Sequence, residues 1–375
     1  MSARTQDIPT GRGRRPTAVW KGLSALTDMF AFPLRTSHYL ELVNPLWTTH
    51  RLQARVVGLW DETRDTRTIT LRPGGHWRLH RPGQHIRVGI PVEGRHYTRT
   101  YSISSAPERD DGCFTITVKK IEGGRLSHHL VRRLKVGDVI PVGLPQGDFH
   151  LPDAAPIQPL LITAGSGITP VMSMLRSLIL RQRLPDTVHL HYAPHEFDVP
   201  FGKELREMNA QQRHYHLHEV YTRNGDGDDH HFSLAMLERL CPNWRQRDCY
   251  ACGPASLLAA LEATWQQAGL SHRLHIERFR ADFAPIPDDA VGGRVHFAQS
   301  EIAIDADSHT NLLQVAENAG INPPHGCRMG ICHTCNTTLQ SGCVRDLRNG
   351  AFINEPGATV QICVCAAAGD CALSI

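Results

Sequence analysis

A multidomain chain is expected here: an antiparallel β-barrel, then an α/β domain built on a parallel sheet, then a small cysteine-rich domain at the C-terminus. Three textures lead to that expectation. Residues 51–152 hold short alternating apolar and polar runs separated by Gly, Pro and Asp; residues 153–285 alternate apolar runs with helical segments; residues 292–375 carry a tight group of cysteines. A length of 375 residues accommodates two or three cores. Residues 1–50 stand ahead of them as an extension that is partly helical or disordered.

Within the extension, TAVWKGLSALTDMFAFPL places Trp20, Leu23, Leu26, Met29 and Phe30 at roughly helical spacing between basic residues. Such a helix either packs on the barrel or meets a membrane surface or a partner. In the barrel, LQARVVGLW, TRTITLRP, HIRVGI, CFTITVKKI and VIPVGLP each read as one strand, and closing them removes exposed edges. Among them lies RHYTRTYSISSAP. Its Arg99, Tyr101 and Ser102 offer a cation for a phosphate, a flat aromatic for a flavin ring and a hydroxyl for that ring's redox nitrogen. Taken singly, the same residues suit a surface cation and a core tyrosine.

The α/β domain opens with PLLITA as a buried strand, GSGITP as a tight turn and TPVMSMLRSLILRQR as a helix. Thr169 suits the cap and Pro170 the first turn. Gly165 and Gly167 let a backbone approach a pyrophosphate, to which the helix start offers N–H groups and the positive end of its dipole. An ordinary strand-to-helix connection has the same look. The strand-like runs VHLHYA, HLHEVYTR, DCYACGP and LHIERF follow, alternating with the helical FSLAMLERL and PASLLAALEATWQQAG, which makes a nucleotide-binding parallel sheet the economical reading.

In the last domain, Cys327, Cys332 and Cys335 lie in PPHGCRMGICHTC with four and then two residues between them, the spacing of a plant-type [2Fe–2S] loop. Thiolates are soft ligands that select such clusters, zinc or cuprous ion. Structural zinc sites more often recur as two short pairs, and disulfide frameworks belong to short secreted chains, so a diiron cluster fits best. Arg328 and Gly330 lie in the loop, where glycine lets backbone amides turn toward the sulfurs. The fourth ligand is Cys363 or Cys365 on spacing alone, while Cys343, in a turn-like SGCVRDLRNG, reads as incidental.

Composition excludes other classes. With 41% hydrophobic and 21% charged residues the chain reads as globular, and a formal net charge of +3 is too small to argue for nucleic acid. No apolar run reaches the roughly 20 residues of a membrane span. No export signal is visible behind Arg4, Arg12, Arg14 and Arg15, so a cytoplasmic setting is expected, with peripheral contact at the inner membrane face left open.

The motifs PGQH (82–85), RTYS (99–102), GGRLS (123–127), GSGITP (165–170), CGP (252–254) and ERF (277–279) occur in the order found in the ferredoxin–NADP reductase superfamily, which the chain resembles from about residue 40 onward. With its C-terminal ferredoxin, an α+β β-grasp domain, it resembles bacterial reductases that serve oxygenases and membrane desaturases. The resemblance implies FAD held by Arg99 and by Gly123, Gly124 and Ser127, with Tyr101 stacked on its ring and Ser102 bonded to its redox nitrogen. It implies a nicotinamide dinucleotide on Gly165, Gly167, Thr169 and Pro170, with Cys252, Gly253, Pro254 and Glu277 near the nicotinamide and Phe279 beside the flavin. It makes Cys363 the fourth cluster ligand. His85 departs from the aromatic that relatives usually carry after PGQ. Thr222 and Arg223 stand where relatives read a ribose phosphate, which points to NADPH, with NADH as the alternative.

Electron counting then supplies the expected activity: NAD(P)H gives a hydride, a [2Fe–2S] cluster takes one electron, and a flavin between them reconciles the two. The terminal acceptor implied by the resemblance, through YLELVNPLW as well, is a membrane fatty acyl-CoA desaturase. The alternatives are an alkane hydroxylase, a monooxygenase or a ring-hydroxylating dioxygenase, and, outside catalysis, a redox sensor. Seven acidic residues against four arginines in residues 292–375 suit a basic patch on that acceptor.

Overall fold

The computed structural model describes residues 44–47, 52–92, 95–154, 156–223, 230–279, 284, 286–287, 289–326, 328–330 and 333–375. The helical pattern expected around Trp20 to Phe30 lies outside the described residues, as do the cluster-loop residues Cys327 and Cys332.

The first domain is antiparallel throughout. Strands β1 (Gln53–Thr63), β2 (Thr66–Pro73), β5 (Phe114–Lys119) and β6 (Val139–Pro141) form one sheet in the order β5-β2-β1-β6, and β3 (His85–Val92) pairs with β4 (Arg95–Ser102) as a hairpin. Isolated bridges from His85 to Gln146, Val88 to Val142 and Ile103 to Ile116 tie hairpin to sheet, so the expected barrel is two sheets closing on one core. Alternation does this: Val56, Ile69, Leu71, Ile86, Val88, Ile116 and Val118 all point inward and are fully buried. Helix α1 (Arg125–Arg132), which the motif GGRLS opens, closes one end with Leu126, Leu130 and Val131.

The second domain is a five-stranded parallel sheet in the order β11-β10-β7-β8-β9. Its strands are β7 (Pro159–Ala164), β8 (Thr187–Ala193), β9 (Tyr215–Tyr221), β10 (Asp248–Cys252) and β11 (Leu274–Glu277), and its helices α2 (Ile168–Leu180), α3 (Gly202–Gln211), α4 (Leu234–Leu240) and α5 (Ala255–Gln267). The β7 and β8 patterns are buried nearly end to end, because helices cover both faces of the sheet. The chain winds outward from β7 to β9, then returns to place β10 on the other side of β7. That reversal leaves a crevice at the carboxyl ends of β7 and β10, where open α/β sheets take their ligands.

In the third domain β12 (Gly293–Phe297), β13 (Ile302–Ala306), β14 (Asn336–Asp346), β15 (Phe352–Ile353) and β17 (Cys365–Leu373) form a sheet in the order β13-β12-β17-β14-β15, with β16 (Thr359–Gln361) paired to β14. Among these described strands only β12 and β17 run parallel, and α6 (Leu312–Asn318) packs Leu312, Leu313, Val315 and Ala316 onto the sheet. This is the α+β grasp expected of the cysteine-rich segment. One expectation is corrected: Ser341, Gly342 and Cys343 belong to strand β14 and not to a turn. Gly342, at a φ of 87°, lets the strand bulge past Asp370, and the turn falls later, at Leu347–Gly350.

Side chains of α2 join the first two domains. Ser173 Oγ donates to Ser105 O at 2.7 Å, Arg176 Nη1 to Ser104 O at 2.7 Å and Ser177 Oγ to Glu108 Oε1 at 3.0 Å, while Arg176 also pairs with Glu204. Arg87 Nη1, on β3, donates to Thr334 Oγ1 in the cysteine loop at 3.2 Å, which brings the third domain against the first.

Candidate electron-transfer site

A cleft of about 1390 Å³ opens where the three domains meet. From the barrel it is lined by Arg99, Tyr101 and Ser102 on β4 and by Gly123, Gly124 and Ser127 at the start of α1; from the third domain it is lined by Arg328, Met329 and Cys363. Burial, more than any partner, draws the Arg99 guanidinium down to about 10, and the same cause raises the Tyr101 phenol well above its usual range. A half-buried cation beside a half-buried aromatic, both facing the cleft, suits the phosphate and ring of one flavin. Ser127 commits its hydroxyl to the loop, accepting from Ile121 N and donating to Gly124 O, each at 3.2 Å, so it shapes the turn whose backbone faces the cleft.

Beside it lies a second cavity, of about 800 Å³, at the carboxyl end of the parallel sheet, lined by Gly165, Ser166, Gly167, Thr222, Gly253 and Pro254 among others. Gly165 has a φ of 52°, and a Cβ on Gly167 would overlap the Cys252 carbonyl, so neither position takes a larger residue without backbone movement. The pair clears the mouth of the crevice ahead of the helix start. One detail differs from expectation: Thr169 is not the cap. Gly165–Gly167 already coils into a 3₁₀ turn, Gly167 takes the cap position, and the Thr169 hydroxyl donates back to Ser166 O at 3.0 Å. Pro170 sits in the first turn as expected. Thr222 reaches the cavity wall, and Arg223 is exposed beside it with its amide donating to Pro194 O at 3.1 Å.

Cys252 and Glu277 are register partners on β10 and β11. The Cys252 side chain is fully buried, its thiol pushed up by burial and then by the Glu277 charge, and among the described residues it lines neither cavity. Its backbone, against Gly167, is what shapes the crevice. Glu277 Oε1 lies 3.5 Å from His85 Nδ1, and the His85 ring rests on Gly147, so the histidine fills the place of the aromatic expected after PGQ. Phe279, 37% exposed, lines both cavities.

Two residues that sequence reasoning passed over share that position. Lys119, at the end of β5, and Ser166, inside GSGITP, also line both cavities. The double lysine ending CFTITVKK was the available signal for the first.

In the third domain Cys335 and Cys363 are buried together. A hydrogen bond with Cys363, stronger than the opposing effect of burial, brings the Cys335 thiol down to about 6, whereas burial pushes Cys365, at the start of β17, up to about 12. Cys363 is thus the cysteine in contact with Cys335, while Cys365 opens strand β17. The loop that leads into Cys335 is pinned at Gly330, whose carbonyl accepts from Gln361 Nε2 at 3.0 Å and Arg348 Nη1 at 3.3 Å. Among the described residues no set of three metal-ligating side chains is complete, since Cys327 and Cys332 lie outside them. No helix among the described residues is long and apolar enough to cross a membrane.

Three family models match in succession: an oxidoreductase FAD-binding domain over residues 56–151, an oxidoreductase NAD-binding domain over 161–263 and a 2Fe-2S iron-sulfur cluster binding domain over 295–368. The chain is similar to an NADPH oxidoreductase of Mycobacterium tuberculosis, 43% identical with 96% of each chain covered. It is also similar to the glycine betaine monooxygenase reductase subunit of Pseudomonas aeruginosa, 30% identical over 85% of this chain and 93% of the relative. Among solved structures, phthalate dioxygenase reductase, a modular structure for electron transfer from pyridine nucleotides to [2Fe–2S], shares the fold with a TM-score of 0.63 at 22% identity, covering 87% of this chain and 98% of its own. The chain therefore belongs to the ferredoxin–NADP reductase superfamily in its form with a C-terminal [2Fe–2S] domain, and is an NAD(P)H-dependent oxidoreductase of FAD and [2Fe–2S] type.

Proposed function

We propose that the chain draws electrons from NADPH and delivers them singly to a membrane fatty acyl-CoA desaturase. One observation carries the internal route. The cleft lined by Arg99 and Tyr101 shares Lys119, Ser166 and Phe279 with the nucleotide cavity at one end and reaches Cys363 at the other. When bound, the flavin accepts the hydride pair and releases electrons one at a time.

The residues supply binding, orientation and exclusion of water. Arg99 and the Gly123–Gly124 turn hold the flavin phosphates, Tyr101 covers the ring, and Ser102, buried on β4, offers its hydroxyl to the redox nitrogen. Gly165, Gly167 and Thr169 present the helix start to the dinucleotide pyrophosphate, with Pro170 setting the first turn. Phe279, shared by the two cavities, would lie between the nicotinamide and the flavin and would screen the ring from water. Cys252 and Glu277, paired on β10 and β11, back the crevice from behind its lining, with the thiol held neutral by burial. Cys335 and Cys363, with Cys327 and Cys332, hold the cluster.

Thr222 and Arg223 favour a ribose phosphate, hence NADPH, and the relative matched over 96% of this chain carries NADPH in its name. For the acceptor, the reductases of oxygenase systems support a second reading, a soluble monooxygenase component. Reconstitution with NADPH, a saturated acyl-CoA and desaturase-containing membranes separates them. Unsaturated product above a cytochrome c control supports the first reading; electron delivery only to a soluble oxygenase component overturns it.

A further inference from the structure

The wall that the third domain gives to the large cleft is rich in polar residues, among them Asn311, Gln314, Glu317, Asn318 and Arg328. Arg328 follows Cys327 in the cysteine loop, with a φ of 59°, and its two terminal nitrogens bind the Glu317 carboxylate while one also lies 3.0 Å from His325 Nε2. Its remaining donor, Nε, is buried with no partner among the described residues. Buried donors are rarely left so, and this one belongs to a residue that lines the cleft, where a small turn of the side chain would bring it to a ligand. Arg99 stands in the same cleft, and repulsion from Arg328 is the second cause, after burial, of its lowered proton affinity. The Glu317 carboxylate, which lines the same cleft, offsets part of that repulsion at Arg99, and an anion entering between the two guanidinium groups would offset the rest.

Along the same wall, Gln314 and Asn318 present carboxamides from α6, with Gln314 Nε2 donating to Asn318 Oδ1 at 2.9 Å, and Asn311 caps the helix by accepting from Gln314 N at 2.9 Å. Carboxamides match the paired donor and acceptor on an adenine edge. We propose that the flavin site is composite: Arg328 joins Arg99 on the flavin pyrophosphate, and the Gln314–Asn318 face of α6 receives the adenosine half of FAD. The cluster loop and the flavin are then held in register through one phosphate group, and a flavin lacking the adenosine loses half of the third-domain contacts. This inference rests on FAD as the flavin, which the family model supplies.

The test uses full-length protein stripped of flavin, with cluster absorbance recorded throughout, and measures dissociation constants for FAD and FMN separately. A Gln314→Leu, Asn318→Leu double variant, which leaves the cysteine loop untouched, should weaken FAD about tenfold and leave FMN within about twofold. Arg328→Gln should weaken both flavins by about tenfold, and Arg328→Lys should restore part of that loss. Unchanged FAD affinity in the double variant overturns the inference. So does a loss of FAD affinity that appears only on replacing His128 and His129, in the separate basic hollow beside Gly123. Protein that binds neither flavin in the unmodified chain would instead overturn the flavin reading itself.

Discussion

Lowering the pH from 8 to 5 should loosen the nucleotide domain through two buried histidines. His189 and His191 point from β8 into the same face, and Thr163 Oγ1 bridges them at 2.8 Å to His189 Nε2 and 2.7 Å to His191 Nδ1, with Tyr215 Oη 2.7 Å from His189 Nδ1. Both rings are fully enclosed, and burial draws His191 down to about 3 and His189 well below its usual range. A folded ring that resists a proton which the unfolded chain accepts gives stability that is complete above the unfolded value of 6.5 and is lost as pH falls toward the folded value. At pH 5 the loss is about 2 kcal/mol for His191, and His189 adds to it in the same direction. Hydrogen exchange by mass spectrometry on the intact protein, corrected for intrinsic rate, reads this as opening free energy in peptides from β7 to β9. In His191→Phe the fall between pH 8 and pH 5 should shrink by about 2 kcal/mol, because the other titrating groups are common to both proteins. An identical pH dependence in the two proteins would refute the reasoning.

Other expectations follow from the same contacts. Thr163→Val keeps the shape and removes the bridging hydroxyl, leaving two buried ring nitrogens unpaired, and should lower stability by about 2–4 kcal/mol in urea unfolding; a change under about 0.5 kcal/mol would show that the bridge contributes nothing. Gly167→Ala should raise KM for NADPH at least about tenfold while flavin content stays at the wild-type level, since the added methyl meets backbone rather than a mobile side chain. Cys363→Ser should abolish cluster absorbance and keep NADPH-to-dye activity, whereas Cys365→Ser should keep both; the reverse pattern would move the fourth ligand to Cys365.

Period and punctuation carried most of the architecture. Runs such as TRTITLRP and VHLHYA became β2 and β8 because the side-chain alternation in one and the continuous burial in the other answer to one covered face and two. The cysteine spacing announced its chemistry before any fold was considered. Local signals misled where a glycine had two uses: Gly342 marks a bulge inside β14 and not a turn, and Gly167 takes the cap position that Thr169 seemed suited to fill. Cys252, which its motif puts near the nicotinamide, has a fully buried side chain and sets its carbonyl against Gly167, a contact no motif spells out. Illegible altogether was the meeting of Arg328 with Arg99, 229 positions away in sequence, which depends on how the third domain docks on the barrel. No periodicity encodes a docking angle.

The central claim is the order of transfer, nucleotide to flavin to cluster, along one cleft. Anaerobic stopped-flow absorbance after mixing with NADPH tests it most directly, with wild type and Cys363→Ser run side by side. The account predicts loss of flavin absorbance first and cluster reduction second in the wild type, and an unchanged first phase with no second phase in the variant. Cluster reduction that precedes or bypasses the flavin phase would contradict it.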